Sequence, residues 1–234
     1  MIRIRRSSER GHADHGWLDT YHTFSFASYY DPDFMGFGPL RVVNQDRVAP
    51  GRGFGTHGHQ DMEIVSYVLD GVLEHKDSMG NGAQMRPGEV QLMSAGTGVT
   101  HSEFNGSQDD WLHFMQMWVI PREQGTEPRY EQKHFDESLR RGNLRLVVSP
   151  DGADGSLTID QDARLYTGLF AENERTRFDL APKRAAWLHV ARGRVTLNGE
   201  ELAGGDGAAI HDEGVLDVVG VEDAEVVLWE IPAE

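Results

Sequence analysis

The sequence predicts an all-β chain built as two tandem barrels, and three observations carry that reading. Short apolar runs separated by Gly, Asn, Asp and Pro recur throughout, among them Leu40–Val43, Ile64–Leu69, Met115–Ile120 and Leu144–Val148; this is the pattern of many short strands. Helical periodicity is scarce. The best helix is Glu137–Arg141, where Asp136 can cap the start, Gly142 can end it, and Arg140 and Arg141 suit the last turn. The two halves also repeat one pattern: an apolar strand ending at a Gly, a second strand, then a Gly-acid turn into a third.

Each element of that repeat can be read in order. The first half runs MEIVSYVLDG, VLEHKDS and PGEVQLMSAG; the second runs RAAWLHVARG, RVTLNGEEL and GGDGAAIHDEG. Gly71 and Gly193 close the first strands, and Gly88-Glu89 and Gly205-Asp206 open the third ones. Duplication of a barrel is the economical account. The stretch from Pro121 to about Arg141 is rich in Pro, Glu, Gln and Arg and reads as the link. The expected domains are therefore residues 1–132 and 133–234.

Composition narrows the chemistry. The chain has 234 residues, 38% of them hydrophobic, which suits an ordinary core. No window approaches the roughly 20 apolar residues of a membrane-spanning helix, and MIRIRRSSERGH turns polar before a signal-peptide core could form. A cytoplasmic protein without membrane contact is expected. There is no Cys, which removes disulfides, thiolate ligands and cysteine nucleophiles and leaves His and carboxylate to act. With 38 acidic against 22 basic residues the formal charge is -16, so the surface as a whole repels a phosphate backbone and direct nucleic-acid binding is not expected.

Two short motifs stand out. His57-Gly58-His59 follows a Gly-rich stretch and precedes a strand; His101-Ser102-Glu103 follows SAGTGVT. Residues two apart on an extended strand share a face, so each pair can aim two donors at one point. Either pair alone is cheap. The His-x-His pair is unique in the chain, each pair follows a Gly-rich turn, and a barrel can bring the two strands together. His57, His59, His101 and Glu103 then offer three neutral nitrogens and one carboxylate, a set suited to one divalent ion of Fe, Mn, Ni, Cu, Co or Zn. The competing explanation is four polar residues at a barrel mouth with no metal. Glu63 is a rival carboxylate with the same parity, but four residues of straight strand carry it about 13 Å from His59. Glu103 is therefore preferred as ligand, with Glu63 as an outer partner or alternate.

The segments GHADHGWLDTYHTFSFASYY, MGFGPLRVVNQD, GFGTHGHQDMEIVSYVLDG, HKDSMGNG and PGEVQLMSAGTGVTHSE resemble the pirin family, as do LRLVVSPDG and ARLYTGLF in the second half. The resemblance implies a bicupin: two cupin barrels of jelly-roll type, the first holding a metal at the positions of His57, His59, His101 and Glu103, the second holding none. It favours iron. It departs at Gly58, where many relatives carry Pro. Some pirin-like proteins are flavonol 2,3-dioxygenases that open the heterocyclic ring of quercetin with release of carbon monoxide; others are iron-containing transcription co-regulators. The expected partners are accordingly a flavonol-like substrate and O2, with Glu103 as the proton acceptor, or a protein partner if the role is regulatory. A different metabolite in place of a flavonol is the third alternative.

The remaining histidines are read as structural. His12, His15 and His22 form an N-terminal group ascribed to turn and strand packing, and His75, His113, His134 and His189 lack a partner at ligand spacing. His211 lies near the place of a second-barrel ligand, but RAAWLHVARG offers no His-x-His, which fits a lost site.

Overall fold

The computed structural model describes residues 1–233. Its strands are β1 (Ile2–Arg5), β2 (Gly11–Asp14), β3 (Leu18–His22), β4 (Leu40–Val48), β5 (Gly53–His59), β6 (Glu63–Asp70), β7 (Leu73–Asp77), β8 (Gly82–Met85), β9 (Glu89–Ser94) and β10 (Val99–Asn105). They continue with β11 (Leu112–Val119), β12 (Arg129–His134), β13 (Leu144–Ser149), β14 (Leu157–Thr158), β15 (Arg164–Phe170), β16 (Arg175–Asp179), β17 (Arg184–Leu197), β18 (Glu200–Ala203), β19 (Gly207–Ile210) and β20 (Val215–Pro232). Only single turns of 3-10 helix accompany them among the described residues, and no helix there is long and apolar enough to cross a membrane.

The chain forms two compact units. One comprises residues 11–134 with 157–161; the other comprises residues 1–10, 135–156 and 162–234. The change at His134 to Phe135 lies two residues from the division read in the sequence, but the first ten residues belong with the second unit. The cause is β1, which extends an edge strand of that unit by pairing Ile2 with Ile210 and Arg5 with Gly207.

In the first unit a seven-stranded sheet runs β12-β9-β6-β11-β4-β3-β2, and a four-stranded sheet runs β5-β10-β7-β8. The inner face of the larger sheet has apolar ends. Leu18, Val48, Val68 and Phe114 pack with Leu73, Met85 and Leu112 at one end, and Ile64 and Met93 pack with Val99 at the other. Between them the register lines up His22 with Asn44, Asn44 with Gln116, Gln116 with Ser66, and Ser66 with Gln91. A polar row thus crosses five strands inside the barrel. Buried polar side chains require hydrogen-bond partners, so such a row marks where the fold accepts a cost in stability.

The second unit builds a sheet in the order β1-β19-β17-β20-β15-β13, with β16 on β20 and β18 on β17. Its interior is apolar, drawn from residues including Leu188, Val190, Ala208, Ile210, Val226 and Leu228. The two repeat glycines behave alike: Gly71 and Gly193 have φ of 84° and 75°, and a Cβ would sit 2.9 Å from the Trp111 carbonyl oxygen and 1.9 Å from that of Asp223. Both the left-handed backbone and the close approach demand glycine.

Two expectations are corrected. Glu137–Leu139 is one 3-10 turn rather than a helix to Arg141; Asp136 does accept from the Ser138 amide, but five residues between a cap and left-handed Gly142 are too few to repay helix nucleation. The stretch read as a link contains β12, which pairs along β9 from Arg129↔Ser94 to His134↔Glu89. It is an edge strand, mostly polar because its outer side meets solvent, and so it resembles a linker in composition.

Candidate metal centre

Strand β10 is the middle of the site, paired on one side with β5 and on the other with β7. His101 stands directly opposite His57, and a register shift then brings Glu103 opposite Phe54. The extra residue lies on β5, between Phe54 and His57, while the pairing of β10 with β7 runs unbroken from His101↔Asp77 to Glu103↔His75. His101 and Glu103 therefore share one face of a regular stretch of β10, and both side chains are buried within the barrel. Gly53 is what lets β5 come so close, since a Cβ there would lie 2.2 Å from the Glu103 carbonyl oxygen.

Three imidazoles converge. His101 Nε2 lies 2.9 Å from His59 Nε2 and 3.0 Å from His57 Nε2. The His57 Nδ1 is 2.8 Å from the Gly55 carbonyl, which only accepts, so Nδ1 carries the proton and Nε2 presents a lone pair. Burial, followed by the charge of His57, pushes His59 down to about 4; burial, followed by His57 and His59, pushes His101 down to about 3. Both are neutral near pH 7. One neutral imidazole nitrogen can make at most one linear N–H···N contact, so two contacts this short at His101 Nε2 suit a cation between lone pairs far better than hydrogen bonds.

Glu103 belongs to a second, overlapping group with His101 and His75, whose ligating atoms lie within 4.8 Å of one another. Its Oε2 accepts from Gln116 Nε2 at 2.8 Å and its Oε1 from Ser66 at 3.3 Å, both from the polar row of the opposite sheet. Trp118 Nε1 donates to Gln116 Oε1 at 3.2 Å, which fixes the amide so that its N–H faces Glu103. Burial raises the Glu103 pKa, opposed first by the bond from Gln116.

His75 is the neighbour of the cluster that sequence spacing missed. It lies opposite Glu103 across the β7–β10 pair, its Nε2 is 3.1 Å from Asp77 Oδ2, and its Nδ1 is 3.5 Å from His101 Nδ1. Because the carboxylate accepts from Nε2, the His75 Nδ1 is a lone pair that favours a proton on His101 Nδ1, leaving His101 Nε2 open toward His57 and His59. This is how outer partners orient metal-binding histidines. The only sequence signal was the alternation His75-Lys76-Asp77 on one strand face. Glu63, by contrast, is held away from the cluster: its Oε2 accepts from Ser94 at 2.8 Å and from the Asp160 amide at 3.4 Å. His211 is exposed in the second unit, and both groups able to hold a metal among the described residues lie in the first.

The cluster opens on a cavity of about 490 Å³. Trp17, Phe26, Phe54 and Trp118 line it, with Trp17 edge-on to Phe54 at 5.5 Å and Phe26 edge-on to Trp118 at 5.2 Å. The histidines His15 and His22, read as packing residues, also line it.

Fold and donor set together define a bicupin whose first barrel carries a histidine-rich centre. Family comparison agrees: residues 3–119 match the Pirin family and residues 146–231 match the quercetinase C-terminal cupin domain. The chain belongs to the pirin family. It is 50% identical over 232 residues to a quercetin 2,3-dioxygenase of Escherichia coli (strain K12), covering 99% of each chain, and 42% identical to a pirin-like protein of Caulobacter vibrioides over 97% of this chain and 98% of that one. Among solved structures it is similar to the bacterial pirin YhhW from Escherichia coli in complex with nickel(II), with 49% identity, a TM-score of 0.94 and 100% of each chain covered.

Proposed function

We propose that the chain is a metal-dependent dioxygenase that opens the heterocyclic ring of flavonols such as quercetin, with a divalent transition metal held by His57, His59, His101 and Glu103. The observation that carries this reading is the meeting of three imidazole nitrogens at 2.9 and 3.0 Å beside a buried carboxylate on an aromatic-walled cavity. The relatives named quercetin 2,3-dioxygenase and the nickel(II) complex of a relative support it. Iron is favoured by family resemblance; Ni, Mn, Co, Cu and Zn suit the same donors.

When bound, such an ion supplies Lewis acidity toward an enolic oxygen and redox chemistry toward O2. The protein's own contribution is positional. The aromatic walls take a flat ring system and exclude water, which strengthens polar interactions inside. Glu103 takes the proton of the substrate 3-hydroxyl: burial raises its proton affinity, and Oε1, held only by the longer contact from Ser66, is the freer oxygen. Gln116 anchors Oε2 so that the proton arrives at a fixed place.

The test is O2 uptake and bleaching of quercetin by protein loaded with one defined metal at a time. Consumption of flavonols but not of flavones lacking the 3-hydroxyl is expected, and His57→Ala should abolish it without rescue by free metal. Tight flavonol binding with no O2 uptake for any metal overturns the enzymatic reading in favour of a regulatory one.

A further inference from the structure

The cavity has a second polar wall that the proposed chemistry does not use. On β3 and β4, Thr20 lies opposite Asp46 and His22 opposite Asn44. All four side chains line the cavity and are less than a tenth exposed, at 4%, 5%, 7% and 3% respectively. Asn44 neighbours Gln116 across the β4–β11 pair, so about 4.8 Å of strand spacing separates this wall from the amide that holds Glu103. Buried polar groups on a wall that is otherwise apolar are costly unless something satisfies them.

The protein satisfies them only in part. His22 Nδ1 donates to Asn44 Oδ1 at 3.0 Å, which leaves the Asn44 Nδ2 amide on the cavity with no hydrogen-bond partner among the described residues. Asp46 accepts from the Thr20 hydroxyl, and a carboxyl has room for further bonds. Asn44 and Asp46 stand two residues apart on one face of β4, so an amide donor and a carboxyl acceptor face the same space. That combination fits a hydroxyl, which gives one proton and accepts another.

We propose that Asn44 and Asp46, braced by His22 and Thr20, form a second subsite that binds a ring hydroxyl remote from the chelating end of the substrate, so that the preferred substrates are flavonols hydroxylated on an outer ring. The proposal rests on the flavonol reading above. The hydroxyl donates to Asp46 and accepts from Asn44 Nδ2 while the 3-hydroxy-4-keto end faces the histidines. Trp17 and Phe54 then cover the ring face.

The experiment measures anaerobic binding, which separates recognition from turnover, of quercetin and of unsubstituted 3-hydroxyflavone to metal-loaded protein. Both share the chelating end; only quercetin carries outer hydroxyls. Wild type should bind quercetin about tenfold more tightly, the scale of one or two hydrogen bonds. In Asp46→Leu that ratio should fall toward one while 3-hydroxyflavone binding and metal content stay near wild type; Asn44→Ala is the second variant should Asp46→Leu not fold, with the same expectation. A ratio unchanged in the variants overturns the subsite and leaves the flavonol reading standing. Failure of metal-loaded wild type to bind either flavonol overturns the flavonol reading and the subsite with it.

Discussion

The two barrels share a sheet pattern and differ at the positions that matter. The repeat aligns Ser66 with Leu188. Across the neighbouring strands Ser66 is registered with Gln116 and Gln91, and Leu188 with Leu228 and Ala208. The first barrel thus puts hydroxyl and amide where the second puts aliphatic side chains, and only the first has a strand, β10, that presents His101 and Glu103 to that row. The comparison teaches that a cupin centre needs two layers: donors on one sheet and a polar row on the other to hold the carboxylate. Losing either layer makes the matching interior positions more stable as Leu or Ala.

The largest expected effect comes from removing a donor. His57→Ala or His101→Ala should take metal content from about one ion per chain to near zero by elemental analysis, because a converging triad reduced to two nitrogens loses most of its affinity. His211→Ala, in the second barrel, should leave metal content unchanged. Next in size is the reverse exchange in the second barrel: Leu188→Ser should cost about 3–5 kcal/mol in chemical denaturation, from lost burial, the cavity and an unpartnered hydroxyl. A small cost there would mean that the second interior still tolerates polar groups.

Gln116→Leu gives the first barrel the side chain found at the matching place in the second. It removes the 2.8 Å bond to Glu103 and the anchor of Trp118. Metal affinity should drop about 10-fold to 100-fold in competition with a chelator, the usual scale for an outer-shell partner. Glu63→Gln should change it far less, since Glu63 is tied to Ser94 and the Asp160 amide. The reverse ranking would move the centre toward Glu63.

Much of this was legible in the sequence, and the exceptions have physical causes. The all-β class and the repeat follow from apolar runs and glycines whose conformations the structure requires, Gly71 and Gly193. The placement of His57, His59 and His101 on one side of a strand pair follows from two-residue periodicity. What stayed hidden depends on cross-strand register. His75 meets His101 only because β7 and β10 pair as they do, and the extra residue of β5 between Phe54 and His57 has no signature in Gly-Thr. The second-unit strand β1 was unreadable for the same reason, since its partner lies about 200 residues away in sequence. The polar row is invisible residue by residue: His22, Asn44, Gln116, Ser66 and Gln91 are five unremarkable side chains until five strands align them.

The smallest predicted effect separates the barrels by pH. His189 in β17 is fully buried, with neither ring nitrogen hydrogen-bonded, and burial, aided by the charge of Arg10, lowers its pKa well below 6.5. In the unfolded chain it titrates near its ordinary value of about 6.5. As pH falls through that value the unfolded state takes up a proton that the folded state refuses, so this contribution to stability is present above about pH 6.5 and is lost below it. Between pH 7.5 and pH 5.5 the loss from one such group is about 1.4 kcal/mol. His59 and His101 in the first barrel add a loss of the same sign, so the wild-type curve alone does not isolate His189. The difference between wild type and His189→Leu does, because the first-barrel terms are common to both. In urea unfolding of metal-loaded protein the stability of wild type relative to His189→Leu should fall by about 1.4 kcal/mol from pH 7.5 to pH 5.5. A difference independent of pH would mean that His189 takes up its proton inside the fold, and the second barrel would then hold a polar group as readily as the first.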